Sequence, residues 1–151
     1  MADIPRLVEV SQAANRRYLQ ALALVNPPQP AHRVLDPVSR RVTKEGRPYR
    51  ALRPISAEEA RWFQILLNGG FHIQGFRNPQ VRRLVFAATE PDPVARRKAS
   101  GQVTRWFRLL RAHGLIQKVS GRRYYRVTDK GIEVMTTALQ LRASDAARYA
   151  A

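Results

Sequence analysis

Apolar and polar residues follow a helical period between residues 100 and 113. The apolar face of that helix carries Val103, Trp106, Phe107 and Leu110, and the polar face carries Gln102, Thr104, Arg105, Arg108 and Arg111. Ser100 suits the N-cap position, because its hydroxyl accepts from the free amides of a first turn. Gly114 suits the position after the helix, since glycine adopts left-handed backbone angles without strain. The pattern predicts an amphipathic helix over residues 100–113.

After Gly114 the period changes to two short runs that are typical of β-strands. Residues 115–119 (LIQKV) and 124–128 (YYRVT) are rich in branched and aromatic side chains. The sequence Ser120-Gly121-Arg122-Arg123 between them is a turn with arginines at its tip. We therefore expect an antiparallel hairpin directly after the helix, with its distal part at residues 119–125.

Two further helices are predicted upstream. The sequence Ser56-Ala57-Glu58-Glu59 has the spacing of a capping box, and Asn78-Pro79 places a capping asparagine before a proline that suits the first turn. The apolar positions that follow these caps are Trp62, Phe63, Leu66 and Leu67 in the first helix, and Val81, Leu84, Val85 and Ala88 in the second. Residues 71–74 predict a short strand between the helices, and residues 89–99 predict a loop.

The two ends of the chain also have recognisable patterns. Residues 11–26 predict a helix that ends at Pro27-Pro28. Residues 40–53 predict a hairpin around Lys44-Glu45-Gly46, and Thr128 is placed to cap a last helix. The predicted organisation is an N-terminal helix and extended arm over residues 1–55, one domain over residues 56–142 and a C-terminal tail over residues 143–151.

From residue 56 the predicted order is helix, short strand, helix, helix, strand, turn, strand, helix. Residues 56–142 resemble winged helix-turn-helix domains of the MarR and ArsR type. The motifs that carry this resemblance are Leu109-x-x-x-His113-Gly114-Leu115-Ile116, the hairpin, and Tyr125-Arg126-Val127-Thr128-x-x-Gly131. The segment Gly75-Phe76-Arg77-Asn78 is similar to winged-helix segments of bacterial proteins.

The resemblance implies a mainly α fold with a small β-hairpin, a winged helix-turn-helix with an extra N-terminal helical element. It implies that the helix at residues 100–113 enters the major groove of duplex DNA and that the hairpin is the wing. In regulators of the MarR type, flanking helices commonly form the dimer. Residues 11–26 and 129–142 are therefore expected to form a homodimer; alternatively, residues 1–55 wrap the domain of a monomer.

The charge of the chain favours a polyanionic partner. The sequence has 27 Lys and Arg against 11 Asp and Glu, a net charge of +16. A GC-rich genome also raises arginine content, but it would not remove carboxylates from one segment. Residues 93–128 contain no acidic residue at all. The clustering of positive charge in this segment therefore indicates a binding surface for nucleic acid.

Candidate DNA contacts follow from the predicted helix and hairpin. In the first turns of the helix, arginine suits guanine edges, glutamine suits adenine and the threonine methyl suits thymine. Arg122 and Arg123 suit phosphates or a narrow minor groove. The candidates are Gln102, Thr104, Arg105, Arg108, Arg111, Arg122, Arg123, Arg96, Arg97, Lys98, Asn78 and Arg82. The alternatives are a solvated helix face, phosphate contacts without base contacts, and a disordered basic loop at residues 96–98.

These observations predict a duplex-DNA-binding protein, a bacterial transcription regulator located in the cytoplasm. The alternatives are an interaction module of a larger nucleoprotein or mobile-element assembly, and RNA binding. Catalysis, a cofactor and a metal are not expected, because His32, His72 and His113 are scattered and the chain has no cysteine. No apolar run reaches the length of a membrane span.

Overall fold

The computed structural model describes residues 29–86 and 92–150, with side chains to residue 144, and most of these described residues are helical. Two antiparallel two-stranded hairpins complete the described fold. The elements are α1 (Ala31–Leu35), a 3-10 turn (Asp36–Ser39), β1 (Val42–Lys44), β2 (Arg47–Tyr49), α2 (Ala57–Leu66), α3 (Gly69–Gln74), α4 (Asn78–Val85), α5 (Pro93–Ala112), β3 (Ile116–Lys118), β4 (Tyr125–Val127) and α6 (Asp129–Ala150). The helix predicted at residues 11–26 lies outside the described residues.

The hairpin of β1 and β2, hereafter hairpin 1, forms where the sequence predicts it. Val42 pairs with Tyr49 and Lys44 pairs with Arg47. The two turn residues, Glu45 and Gly46, have φ angles of 52° and 76°. Two successive residues with positive φ are the requirement of a type I′ turn, whose twist matches that of the flanking strands. The predicted hairpin around Lys44-Glu45-Gly46 is confirmed.

One apolar core joins the described helices, with Phe71 of α3 half-buried against it. Phe63 from α2, Val81 from α4, Leu110 from α5 and Met135 from α6 have no exposed surface. Burying a large apolar side chain contributes about 1.5–3 kcal/mol. The core also contains Val34, Leu35, Val38 and Leu52 from the segment before α2. The described part of residues 1–55 therefore packs onto the same core as residues 56–142.

The strand predicted at residues 71–74 is wrong, because this segment forms the short helix α3. Asn68 starts the helix by accepting from the Gly70 amide at 3.0 Å. Gly75 ends it with φ 77°. The extended residue of this region comes next, at Phe76, whose N–H and carbonyl each bond to the main chain of Tyr125 at 2.9 Å. A local cap thus outweighs the strand preference of the Phe-His-Ile run.

The helix predicted over residues 100–113 begins seven residues earlier than expected, at Pro93. Asp92 is its N-cap and accepts from the Ala95 amide at 2.7 Å. An aspartate cap followed by proline is a strong helix start, and no second proline follows within α5. Ser100 is therefore an interior residue of α5, and the prediction of Ser100 as N-cap is wrong. Residues 96–98 are helical, in contrast to the predicted loop.

The last helix starts as predicted, since Thr128 Oγ1 accepts from the Gly131 amide at 2.9 Å. It then continues to Ala150, so most of the segment predicted as a tail is helical. Gly131 in its first turn lies against the residue before β3, where a Cβ would clash with the Leu115 carbonyl oxygen. Only glycine permits this close approach between α6 and the start of β3.

Candidate nucleic-acid interface

The exposed face of α5 carries a line of cations. Val103, Phe107 and Leu110 are buried on the opposite face, as predicted, while Trp106 is half-buried. With 3.6 residues per turn, the outward positions fall together as Arg97, Lys98, Arg105 and Arg108, hereafter the basic stripe. All four are exposed, and none makes a hydrogen bond or ion pair with another described residue. The longer helix thus adds Arg97 and Lys98 to the face predicted for Arg105 and Arg108.

Asn78 and Thr104, both predicted as DNA contacts, bond to each other. Asn78 Nδ2 donates to Thr104 Oγ1 and to the Ser100 carbonyl, each at 3.0 Å. Ser100 Oγ donates to Asn78 Oδ1 at 3.2 Å. Asn78 is the first residue of α4, whose N-cap is Arg77, so the prediction of Asn78 as cap is wrong. Its amide instead fixes the start of α4 against the middle of α5.

The hairpin of β3 and β4, hereafter hairpin 2, is packed directly on α5. The ring centroids of Tyr125 and Phe107 are 4.7 Å apart, and the Arg111 guanidinium lies 6.0 Å from the centroid of Tyr125. This distance permits a cation–π contact. Gly75 lets Phe76 approach β4, since a Cβ there would lie 2.8 Å from the Tyr125 carbonyl oxygen. Arg111 is half-buried because its guanidinium lies against Tyr125 of hairpin 2.

The distal loop of hairpin 2 presents Arg122 and Arg123 to solvent. Arg122 Nη1 donates to the Tyr124 hydroxyl at 3.3 Å. The guanidinium groups of Arg122 and Arg77 each lie 5.8 Å from the Tyr124 ring centroid. The loop itself is closed by Val119 N–H, which donates to the Tyr124 carbonyl at 2.9 Å. Arg123 is the cation at this tip that makes no such contact with a described residue.

Two of the predicted contacts lie away from the basic stripe. Arg96 is exposed on the first turn of α5 but falls on the side of the helix that continues into the buried face. Arg82 is half-buried on α4. The structure therefore brings Arg97, Lys98, Arg105 and Arg108 together on one face of α5, leaves Gln102 half-buried on the same helix, and places Arg96 and Arg82 at the margins.

An open groove of about 930 Å³ lies between α5, β2, α2 and the end of α4, and Arg105 and Arg108 of the basic stripe line it. Its charged and indole-bearing lining residues are Arg47, Arg50, Glu58, Arg61, Trp62, Arg105, Trp106 and Arg108. Arginine supplies five of these positions and Glu58 supplies the one carboxylate among the described lining residues. Arg47, Arg50 and Arg61 were not among the predicted contacts. The signal for the first two was available in the arginine-rich segment at residues 40–53.

Hairpin 1 is anchored beside this groove by Glu59, which is 2 % exposed. One carboxylate oxygen accepts from Arg50 Nη1 at 3.0 Å and the other accepts from the Arg53 amide at 2.7 Å. The capping box predicted at Ser56 is therefore half formed: the Glu59 amide donates to Ser56 Oγ, while the carboxylate holds the end of hairpin 1.

His113 completes the anchor from the end of α5. Its Nε2 donates to the Arg50 carbonyl at 2.8 Å, and the ring is 3 % exposed. Burial lowers the pKa of His113 below 6.5, and the positive charge of Lys130 lowers the pKa further. The imidazole is therefore neutral at pH 7. His113 thus caps the end of α5 as a buried hydrogen-bond donor.

The two tryptophans of the chain line the groove. Trp62 and Trp106 are stacked with ring centroids 4.9 Å apart. The Arg50 guanidinium lies 5.4 Å from the Trp106 centroid, and Arg61 Nη2 donates to the Val85 carbonyl at the end of α4. Arg50 and Arg61 thus have structural partners. Arg47, Arg105 and Arg108 have no hydrogen bond or ion pair with the described residues.

Among the described residues, His, Asp and Glu form no group of three that would hold a metal ion. No described helix has the length and apolar character needed to cross a membrane. No protein family model, no curated protein and no solved structure matches this chain.

Proposed function

We propose that the protein binds duplex DNA, with α5 in the major groove and hairpin 2 beside it. The observation that carries this proposal is the basic stripe. It consists of exposed cations on one helix face, within a segment that contains no carboxylate between residues 93 and 128. When such cations neutralise the phosphates of a duplex, the counterions condensed on the DNA are released, and this release drives association.

The order of the elements supports a winged helix-turn-helix as the framework for this binding. The chain has the relevant elements in the order of that fold, namely α2, the bridge at Phe76, α4, α5, β3 and β4. In this assignment α5 is the recognition helix, hairpin 2 is the wing, and Phe76 is the reduced first strand of the wing sheet. The hydrogen bonds of the Asn78 amide then fix the angle between α4 and α5, the two helices of the helix-turn-helix.

The proposed contacts differ in what they recognise. Gln102, Arg105 and Arg108 face the bases, where arginine pairs with guanine and glutamine with adenine. Arg97, Lys98, Arg122 and Arg123 neutralise phosphates. A helix that reads bases and a wing that positions it suit a transcription regulator, and we propose this role in a bacterial cell.

Fluorescence anisotropy with labelled nucleic acids tests the proposal. We expect the protein to bind random duplex DNA at low salt, and to bind single-stranded DNA and structured RNA more weakly. Arg33→Ala is the matched control, because Arg33 is an exposed cation on α1, away from α5. Absence of duplex binding at low salt would refute the proposal, and tighter binding to structured RNA would replace it with RNA recognition.

We also propose a homodimer, and the packing of α6 restricts which surface can form the dimer contact. Val134, Met135, Ala138 and Leu139 are buried within the chain, and α6 packs on α1 and α2. The apolar side of residues 129–142 is therefore occupied by the protein's own core. A dimer through this segment uses its outer face together with residues 11–26. Light scattering at micromolar concentration tests it, and a monomer at all concentrations would exclude it.

A further inference from the structure

Two basic hairpins lie on either side of α5. Hairpin 2 contacts α5 through Arg111 and Tyr125, and hairpin 1 contacts α5 through Lys44, whose Nζ donates to the Arg111 carbonyl at 3.2 Å. The segment that contains hairpin 1, residues 40–53, has six cations and one carboxylate. The proposed function uses only hairpin 2, so the charge of hairpin 1 has no role in it.

The cations of hairpin 1 and the cations of α5 face the same groove. Arg47 from β2 lines it together with Arg105 and Arg108 from α5. These three side chains make no ion pair with the described residues. Unpaired cations that line one open groove from two sides create a positive potential along it. The groove is therefore suited to a linear polyanion.

The width of the major groove indicates that this polyanion is one strand of duplex DNA. An α-helix with its side chains is about 10–12 Å wide, and the major groove of B-form DNA is about 12 Å wide. A helix that fills the groove has a phosphodiester strand on each side. If hairpin 2 lies along one strand, the second strand runs on the opposite side of α5, where Arg47 lines the hairpin 1 side of the groove and the base-reading Arg105 and Arg108 line its α5 side.

We propose that hairpin 1 is a second DNA-binding arm, and that one phosphodiester strand of the duplex runs through the groove between hairpin 1 and α5. This inference rests on the proposed function. Arg47 contacts phosphates of that strand directly, while Arg50 is retained by Glu59 and forms the floor with Trp106. Glu59 and His113 hold the arm at a fixed distance from α5.

Tryptophan fluorescence provides a readout of the groove, because both tryptophans of the chain line it. We expect duplex DNA to change the tryptophan emission of the wild-type protein with the same midpoint as anisotropy. Inorganic pyrophosphate serves as the small-anion comparison. A duplex that binds without any change in emission would overturn the inference, as would an emission change with pyrophosphate and none with duplex.

Arg47→Ala tests the arm itself. We expect affinity for all duplexes to fall about fivefold to tenfold at 0.1 M salt, and the slope of log affinity against log salt to decrease by about one unit. Arg47→Lys keeps the charge and should keep the slope. Arg33→Ala, which removes the same charge from α1, should change neither quantity. A circular dichroism melt that matches the wild type confirms that the variants are folded.

The outcomes separate this inference from the proposed function. If the wild-type protein binds no duplex, the proposed function fails. If the wild type binds duplex and Arg105→Ala weakens it, while Arg47→Ala leaves affinity and salt slope unchanged, the second arm is disproved and the proposed function stands. Loss of one slope unit in Arg47→Ala and of a further unit in its combination with Arg122→Ala supports two arms on one duplex.

Discussion

Lys44 donates from Nζ to the main-chain carbonyl of Arg111 at 3.2 Å, across a sequence separation of 67 residues. Arg111 lies in the last turn of α5, and its carbonyl also accepts from the Gly114 amide at 3.0 Å. Its guanidinium lies on the other side against Tyr125 of hairpin 2. The main chain of one residue thus holds hairpin 1 and its side chain holds hairpin 2, so the two hairpins have a common anchor on α5.

The first prediction separates base contacts from phosphate contacts. Replacement of Arg105 or Arg108 with alanine should cost about 1–3 kcal/mol on the preferred DNA site and reduce discrimination among sequences. Replacement of Arg122 or Arg123 should weaken all duplexes alike and lower the salt slope by about one unit per lost phosphate contact. Affinity measured on preferred and random duplexes at several salt concentrations checks both. Equal losses on every sequence for Arg105→Ala and Arg122→Ala would contradict the assignment of Arg105 to bases.

The second prediction concerns Asn78 as the link between α4 and α5. Asn78→Ala removes the bonds to Ser100 and Thr104, and should lower the free energy of unfolding by about 1–3 kcal/mol, because the polar groups left behind lose their partners. Chemical denaturation measures this change. Arg83→Ala, an exposed residue on the same helix, is the control and should be neutral. Normal stability with lost DNA binding would instead make Asn78 a direct DNA contact.

The third prediction concerns pH. His113 is neutral in the folded protein because burial lowers its pKa below 6.5. The unfolded chain then binds more protons as pH falls below 6.5, so the His113 contribution to stability is complete above that pH and is lost as the pH falls toward the folded pKa. We expect the free energy of unfolding to decrease between about pH 7 and pH 5.

His113→Gln is the matched variant for this titration. Glutamine keeps a donor that can reach the Arg50 carbonyl, and it does not titrate. The variant should show a smaller decrease of stability over the same pH range. His32→Gln and His72→Gln change exposed histidines and should retain the wild-type decrease. Identical pH dependence in His113→Gln and wild type would show that His113 does not cause it.

The fourth prediction concerns the close approach of α6 to the start of β3. Gly131→Ala places a Cβ in steric clash with the Leu115 carbonyl oxygen. We expect a loss of about 3 kcal/mol or more, because a backbone group moves less readily than a flexible side chain. Gly69→Ala is the comparison, since a Cβ there meets no atom within 4 Å. Thermal denaturation distinguishes the two, and equal melting temperatures would mean that α6 shifts at little cost.

Local sequence signals predicted the elements that local interactions define. Glu45-Gly46 supplies the positive φ angles of the hairpin 1 turn, and Thr128 caps α6 as expected. The errors occurred where two local signals competed. Asp92-Pro93 provides a stronger helix start than Ser100, and the Asn68 cap outweighs the strand preference of the residues after it.

The groove could not be predicted from the same signals, because its two sides are far apart in the sequence. Arg47 and Arg105 meet there only after hairpin 1 is fixed by Glu59 and His113. Each of these residues had a local explanation, a capping box for Glu59 and a helix end for His113. The buried contacts that they make depend on tertiary packing, which periodicity and charge counts do not contain.

The shared anchor at Arg111 has a consequence for the form of nucleic acid that the proposed interface would accept. With both hairpins fixed to one rigid helix, the span between them cannot adjust to the partner. A-form RNA has a deep and narrow major groove that side chains do not reach. If both hairpins bind phosphate strands, their fixed spacing selects B-form geometry. An RNA duplex is then rejected because of the width of its major groove, before any base is read.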